Sequence, residues 1–332
     1  MKRKLRNILV VVLLTLPCAE IAVRILGWKP YKNSDYAVEV TPKYWLSGDS
    51  LLGFLPNTGS YDITLNDAIH FSVTHDASNR RTIVAPKGED TVIVFGCSFT
   101  YGYGVNDDDI FVNQLQKHFP EQHYINYAVP GYGTAQALIQ LQTLIDKGKI
   151  PDKAMLVFSE VHPERNALAK SYRQALKIGF SHSNEAVEDI MKNARIPYRV
   201  LGSESMKFCE WETLYSHWPG RESFALVHAL QTTFQRGMEE EAMVAITAEM
   251  LDDFVALCIE NKIEPIVVNL DDRKFNDHYP DITKEKTTLI HVGFDFHDPK
   301  ITLYPHDTHP NIQGHTEISK KIQIALEGAE DE

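Results

Sequence analysis

Two hydrophobic patterns alternate along most of this chain, and their alternation predicts its architecture. From residue 91 onward, short continuous apolar runs are each followed by a stretch in which apolar residues return at every third or fourth position. The runs are Thr91-Val-Ile-Val-Phe95, Tyr124 to Val129, Met155 to Phe158, Glu264-Pro-Ile-Val-Val-Asn-Leu270 and Thr287 to Val292. The helical stretches include Asp108 to His118, the series Ala135, Leu138, Leu141 and Ile145, a long pattern from Glu222 to about Asn261, and a closing one through Ile318 and Ile322. Strands that are apolar on both faces must be covered on both. The pattern therefore predicts a doubly wound α/β domain with a mainly parallel sheet. Ligands of such sheets bind beyond the carboxyl ends of the strands, in the turns that follow each run.

The flanking segments read differently. Lys29 to about Pro86 mixes Pro, Gly, Asn and Asp with short alternating runs, Tyr61 to Leu65 and Ile69 to Val73, and is expected to be an irregular or β-rich lead-in. At the amino end, basic residues from Lys2 to Arg6 precede a mostly apolar stretch from Ile8 to Leu26. As a helix that stretch extends about 28 Å, close to the roughly 30 Å hydrocarbon thickness of a bilayer. Glu20 and Arg24 interrupt it four residues apart, on one helix face, where they can pair. The segment fits an uncleaved single-pass anchor with its basic tip in the cytoplasm. A cleaved signal peptide and a helix packed on the domain are the competing readings; against cleavage, no A-x-A site follows, and Pro17 before Cys18 is a poor lipoprotein context. The chain thus divides into an N-terminal helix over 1–28, a lead-in over 29–90, an α/β domain over 91–326 with a helical insertion at about 169–240, and an acidic, solvated tail over 327–332.

Composition narrows the function classes. The 332 residues are 43% hydrophobic and 23% charged, so most of the chain folds in water around a sizeable core. Lys plus Arg number 33 against 45 Asp plus Glu, a net charge of −12, which disfavours nucleic-acid binding because phosphate neutralisation needs a basic surface. Cys18, Cys97, Cys209 and Cys258 show no C-x-x-C spacing, excluding a zinc knuckle or a thioredoxin-like motif. Pairing of Cys209 with Cys258 stays open, against the plainer reading of Cys258 as a buried thiol in a helical pattern.

Three loci carry candidate chemistry. Ser98 falls in the turn after the first run, within Phe95-Gly-Cys-Ser-Phe-Thr-Tyr-Gly102. There it is either a nucleophile beside the unpaired N–H groups of a helix start, or only the cap of that helix. The second locus, Pro305-His-Asp-Thr-His-Pro-Asn-Ile-Gln-Gly-His315, follows the last run. A Ser hydroxyl needs an imidazole to accept its proton, and the imidazole needs a carboxylate to orient it; His309 and Asp307 suit those roles, although Asp and His are also ordinary loop residues. The third locus, Asn126-Tyr-Ala-Val-Pro-Gly-Tyr-Gly-Thr-Ala-Gln136, is a glycine-bearing turn whose amides can face the same crevice or simply make the turn. G-x-S-x-G is absent because position 100 is Thr, and neither G-x-G has the third glycine of a dinucleotide fingerprint.

Together these loci resemble the SGNH, or GDSL-type, hydrolases over about Thr91 to Leu326. Gly96-Cys-Ser-Phe-Thr100 is similar to the Gly-Asp-Ser-Phe-Thr nucleophile block, Asn126 to Gln136 to the second block, and Asp307-Thr-His-Pro-Asn-Ile-Gln-Gly-His315 to the closing one. The resemblance implies a three-layer α/β/α flavodoxin-like fold and hydrolysis or transfer of an ester-linked acyl group, with no metal or other cofactor. It implies Ser98 as nucleophile, His309 as general base, Asp307 as its orienter, and the Ser98 and Gly131 amides as the oxyanion hole. The N-terminal helix looks like that of bacterial membrane-anchored members, which implies an inner-membrane protein with its catalytic domain on the periplasmic side.

Three departures stand out. Cys97 replaces the usual Asp, the closing block is Asp-x-His instead of Asp-x-x-His, and the Gly-x-Asn-Asp block is missing, the segment reading Ser159-Glu-Val-His-Pro-Glu-Arg-Asn166. His162 is the first substitute for the third oxyanion donor, against its reading as a satisfied structural histidine, and Asn166 comes behind it. Two other functions compete. One is a binding protein of the cell envelope that kept the fold without efficient catalysis. The other is a metal hydrolase using His297, Asp298, His306, Asp307, His309 and His315.

Overall fold

Alternating sequence in the lead-in folds as antiparallel β-structure. Val38–Thr41 (β1), Gly59–Leu65 (β4) and Ile69–His75 (β5) form a three-stranded sheet in the order β1-β4-β5, while Leu46–Asp49 (β2) and Gly53–Pro56 (β3) pair separately. Tyr61 pairs with Val73 and Ile63 with Phe71, so the alternation turns all four side chains to one buried face. Asp62 and Ser72 point the other way, joined by a 2.6 Å hydrogen bond from the Ser72 hydroxyl. The structure is a computed structural model describing residues 2–32, 36–182, 187–235, 237–271, 275–279 and 287–330, and side chains within these except at 2–13, 181–182 and 329–330.

The five apolar runs form a single parallel sheet. Asp90–Phe95 (β6), Gln122–Asn126 (β7), Lys153–Phe158 (β8), Glu264–Asn269 (β11) and Thr288–His291 (β12) lie in the order β12-β11-β8-β6-β7. Numbered along the chain from β6, that order is 2-1-3-4-5, the flavodoxin-like winding, whose direction reverses between β6 and β8. Ile93, Phe95, Leu156, Phe158 and Val267 pack on one face against the helices Thr134–Asp146 and Glu240–Glu260, through Leu138, Leu141 and Phe254. Val92, Val94, Met155, Val157, Ile266 and Val268 pack on the other against Phe111–His118 and Ile312–Glu330, through Phe111, Leu115, Ile318 and Ile322. Each such side chain contributes about 1.5–3 kcal/mol by leaving water, which explains why these strands carry no polar face.

Between β8 and β11 the chain is more varied than a helical insertion. Helices Lys170–His182 and Val187–Ile190 precede an antiparallel pair, Arg195–Tyr198 (β9) and Lys207–Glu210 (β10), followed by the short helix Trp211–Leu214. The long pattern from Glu222 to Asn261 is broken into Ala225–Phe234 and Glu240–Glu260, with Gly237 between them. Leu176, Trp211 and Leu214 join the lead-in face and Tyr101, Tyr103 and Tyr132 in a third apolar cluster, seated on loops at the carboxyl ends of β6 and β7. All four cysteines are free, so Cys209 and Cys258 are not paired; burial pushes the Cys258 thiol up to about 12.

Residues Met1–Asp35 and Tyr215–Gly237 make one unit, and Tyr36–Leu214 with Met238–Glu332 the other. In the first, Lys2–Ile25 is helical and Glu20 does more than pair with Arg24. Its carboxylate accepts the backbone N–H of Ala225 at 2.9 Å and of Leu226 at 2.7 Å, capping the helix Ala225–Phe234. The side chains of the expected span before position 14 lie outside the described residues. Among the described residues no helix is long and apolar enough to cross a membrane. Of the acidic tail, residues up to Glu330 continue the last helix and 331–332 lie outside the described residues.

In the second unit, Arg81 is 1% exposed and braces the loop that follows β6. Its guanidinium donates to the carbonyls of Tyr101, Gly102 and Val105 and pairs with Asp107 at 2.7 Å. Arg81→Met leaves that carboxylate with the Thr74 N–H alone and takes a donor from three carbonyls, so urea unfolding is expected to show a loss of about 3–5 kcal/mol; an unchanged midpoint contradicts the bracing role.

Candidate active site

The chain leaves β6 through Gly96, where any Cβ would stand 2.2 Å from Thr100 Oγ1. A side chain there would push apart the turn that starts the short helix Ser98–Tyr101. Cys97, not Ser98, is its N-cap residue, and no side chain caps it. Ser98 is instead the first helical residue, and its Oγ lies 2.7 Å from His309 Nε2. Because Cys97 occupies the cap position, Ser98 is not the cap of this helix.

His309 and Asp307 reach the serine from a loop folded back on itself. Leu303 N–H donates to the His309 carbonyl at 2.9 Å, and Asp307 N–H to the Leu303 carbonyl at 3.2 Å. Asn311 closes the loop. Its amide donates to the carbonyls of Lys300 and Thr302, both at 2.9 Å, and its oxygen accepts Gly314 N–H at 3.0 Å, capping the last helix. Within this frame the Asp-x-His spacing works through a local turn: Asp307 Oδ1 accepts the His309 backbone N–H at 2.8 Å and also meets Nδ1 of the same residue. The Phe99 and Tyr103 rings flank the imidazole, with centroids 4.9 and 5.1 Å away.

The second Asp307 oxygen accepts the Tyr36 hydroxyl at 2.5 Å, from a residue that the sequence analysis passed over as lead-in. Burial pushes the Asp307 carboxyl up, but the adjacent His309 and the hydrogen bonds from His309 and Tyr36 outweigh it and hold the group down at about 2. Burial pushes the Tyr36 hydroxyl up, and neighbouring Tyr103 and Asp307 add to the shift, so Tyr36 stays a donor. With the carboxylate ionised, the His309 proton is kept on Nδ1 and Nε2 is left to face Ser98 as acceptor.

Ser98 opens on a cavity of about 560 Å³. Its lining comes from Tyr36, Val38, Trp45 and Leu46, from Tyr172, Ala175, Leu176 and Phe180 of the helix Lys170–His182, and from Ser98, Pro130 and Gly131. Gly131 has φ +91, a left-handed conformation that carries the chain sharply from β7 into the next helix. Its carbonyl accepts the Tyr172 hydroxyl at 2.8 Å, and neither its N–H nor that of Ser98 is engaged by any described residue.

Neither substitute from the segment Ser159 to Asn166 lines this cavity. His162 is fully buried against Phe158, its Nδ1 3.3 Å from Thr134 Oγ1 and its pKa lowered well below the ordinary range by burial and by Arg165. Asn166 accepts Ala135 N–H at 3.2 Å and donates to Thr247 Oγ1 at 3.1 Å, locking one helix start to another helix. The residue from this segment that does reach the cavity is Arg165, which sequence reasoning did not single out. Its only sequence signal was a cation in a strand-to-helix turn.

Among the described residues no three His, Cys, Asp or Glu side chains gather as a cation site. His315 points into the core, its Nδ1 accepting Phe111 N–H at 3.3 Å and its ring stacked on Phe111. His297 and Asp298 stand apart from the cavity wall, which holds His306 with Asp307 and His309.

The fold defined by these elements is that of the doubly wound α/β proteins with a serine at the switch point. No protein-family model matches the sequence, and no curated protein matches it. Solved structures do. The psychrotrophic esterase EstA from Pseudoalteromonas sp., inhibited by monoethylphosphonate, is 10% identical, with TM-score 0.41 over 74% of this chain and 100% of that one. TesA is 13% identical, TM-score 0.38, over 71% and 97%. A structure described as a lipolytic protein of the G-D-S-L family from Desulfitobacterium hafniense DCB-2 is 10% identical, TM-score 0.37, over 71% and 99%.

Burial first, then Arg81 and His309, lower the His315 pKa from 6.5 to about 3. Between those values the unfolded chain binds a proton that the folded one refuses, so stability rises with pH and is lost as pH falls from 6.5 towards 3. Urea unfolding across that window is expected to give a shallower dependence for His315→Asn; an unchanged slope would mean that His315 is not kept neutral.

Proposed function

We propose that this protein is a serine esterase that hydrolyses or transfers an O-acyl group through an acyl-serine intermediate. What carries the reading is the chain of contacts from Ser98 Oγ through His309 Nε2 and Nδ1 to Asp307, opening on a largely apolar cavity. As Ser98 Oγ attacks the ester carbonyl, its proton passes to His309 Nε2. The resulting imidazolium is stabilised by Asp307, whose free oxygen is held by Tyr36. Charge developing on the carbonyl oxygen meets the N–H groups of Ser98 and Gly131. Collapse expels the alcohol, which takes the proton from Nε2 and leaves the acyl group on Ser98. Water or a second alcohol, deprotonated by the same nitrogen, then removes it. The apolar walls favour burial of the acyl chain over a strongly polar one, and no step calls for a cofactor.

We also propose that the site works on the extracytoplasmic side of a bacterial inner membrane, tethered by the N-terminal helix. The basic residues Lys2 to Arg6 ahead of the mostly apolar stretch Ile8 to Leu26 support this placement.

Ser98→Ala is expected to lower turnover of a 4-nitrophenyl acyl ester by about 10³-fold or more, and a fluorophosphonate to label Ser98 in the unaltered protein. Turnover retained by the variant, or a folded protein inert to the label, contradicts the reading. Cells producing the chain with a C-terminal tag are expected to keep it in membranes after alkaline carbonate washing; release into the wash contradicts the tether.

A further inference from the structure

We infer that Arg165 recognises an oxyanion on the substrate, so that the ester accepted here carries a carboxylate or phosphate besides its acyl bond. This rests on the esterase reading and deepens it to a substrate class. Arg165 lines the cavity beside Gly131, among side chains that are otherwise mostly apolar or aromatic. The other charged group of the wall, Asp307, is taken up by His309 and Tyr36.

Arg165 has no acidic partner among the described residues. One Nη1 hydrogen donates to the Tyr132 carbonyl at 2.7 Å, which fixes the guanidinium against the turn after β7. Nε and Nη2 make no hydrogen bond to any described residue, and the group lies over the Tyr172 ring, 6.0 Å from its centroid. They form one edge of the planar group, the edge that grips a carboxylate or phosphate with two parallel hydrogen bonds. Arg81 and Arg199, which are also drawn inward, each face a carboxylate, Asp107 at 2.7 Å and Asp253 at 2.6 Å. Neither Nε nor Nη2 of Arg165 is sealed in the interior, so a bound anion takes the place of water on a half-buried cation. In a chain of net charge −12 an anionic ligand needs such a local cation to offset the overall field. The Tyr132 carbonyl takes one of the five donors of a residue that lines the cavity.

The test pairs esters that differ in charge: mono(4-nitrophenyl) adipate against 4-nitrophenyl hexanoate for the acyl side, and 4-carboxyphenyl or 4-phosphonophenyl hexanoate against phenyl hexanoate for the alcohol side. In at least one pair the unaltered protein is expected to favour the anion by about tenfold or more in kcat/KM, mainly through KM. Arg165→Gln should lower kcat/KM on the anionic ester about tenfold more than on its neutral partner, and Arg165→Lys should keep part of the preference; whether carboxylate or phosphonate responds more tells the two oxyanions apart. A neutral preference in every pair overturns the inference, as does an equal loss on all esters in Arg165→Gln, which would mark a purely structural role. If the unaltered protein turns over no ester, the esterase reading fails, and calorimetry with octanoate and octyl phosphate decides the anion site separately. Binding of either that is lost in Arg165→Gln supports the site, and binding of neither, or binding that persists in the variant, overturns it.

Discussion

An ionised carboxylate held inside the protein governs the geometry around it. Asp307 has a side chain only 7% exposed, where an unpartnered charge would cost several kcal/mol. Its two oxygens are met from two directions: by His309, through both backbone and ring, and by Tyr36. Meeting the first demand folds the 303–311 loop into a turn tight enough for an Asp-x-His spacing. Meeting the second draws the segment ahead of the first antiparallel strand across the carboxyl end of the parallel sheet. The imidazole is thereby fixed in one tautomer and one orientation, with Nε2 towards Ser98.

The sheet supplies the other half of the arrangement. Because its winding reverses between β6 and β8, the turns leaving β6 and β7 border an open crevice instead of being buried under a crossover helix. Ser98 stands in the first turn and Gly131 in the second, and the close approach of Gly96 to Thr100 keeps the first compact. Arg81 then ties the continuation of that turn to the antiparallel sheet through three carbonyls and Asp107. The Ser98 turn and the wall beside it are consequently one mechanical piece, with Trp45, Tyr101 and Tyr103 packed between them.

Evidence for chemistry and evidence for specificity come from different parts of the molecule. Ser98, His309 and Asp307 lie on the α/β framework, and the cavity they face is shaped by two segments outside its regular winding. The lead-in contributes Val38, Trp45 and Leu46, and the helix Lys170–His182 contributes Tyr172, Leu176 and Phe180. A proposed acyl-transfer site whose walls are borrowed in this way can change its substrate without disturbing the sheet.

Much of the framework was legible in the sequence because it depends on short-range patterns. Continuous apolar runs marked all five parallel strands, since burial on both faces removes the polar positions that alternation would otherwise show. Ser98, Asp307 and His309 stood out because each lies in a turn next to such an element. The same reasoning failed where partners are distant or the pattern is not periodic. Tyr36 meets Asp307 across 271 positions, and nothing in its neighbourhood signals that contact. The substitutes chosen for a missing donor, His162 and Asn166, have suitable chemistry but point into the packing between helices, while Arg165, on the same short helix, faces the cavity. Local sequence determined which segments become strands and which turns carry reactive groups; only the tertiary structure decided which side chains share a cavity, because helix phase and long-range packing, not residue type, set the direction in which each one points.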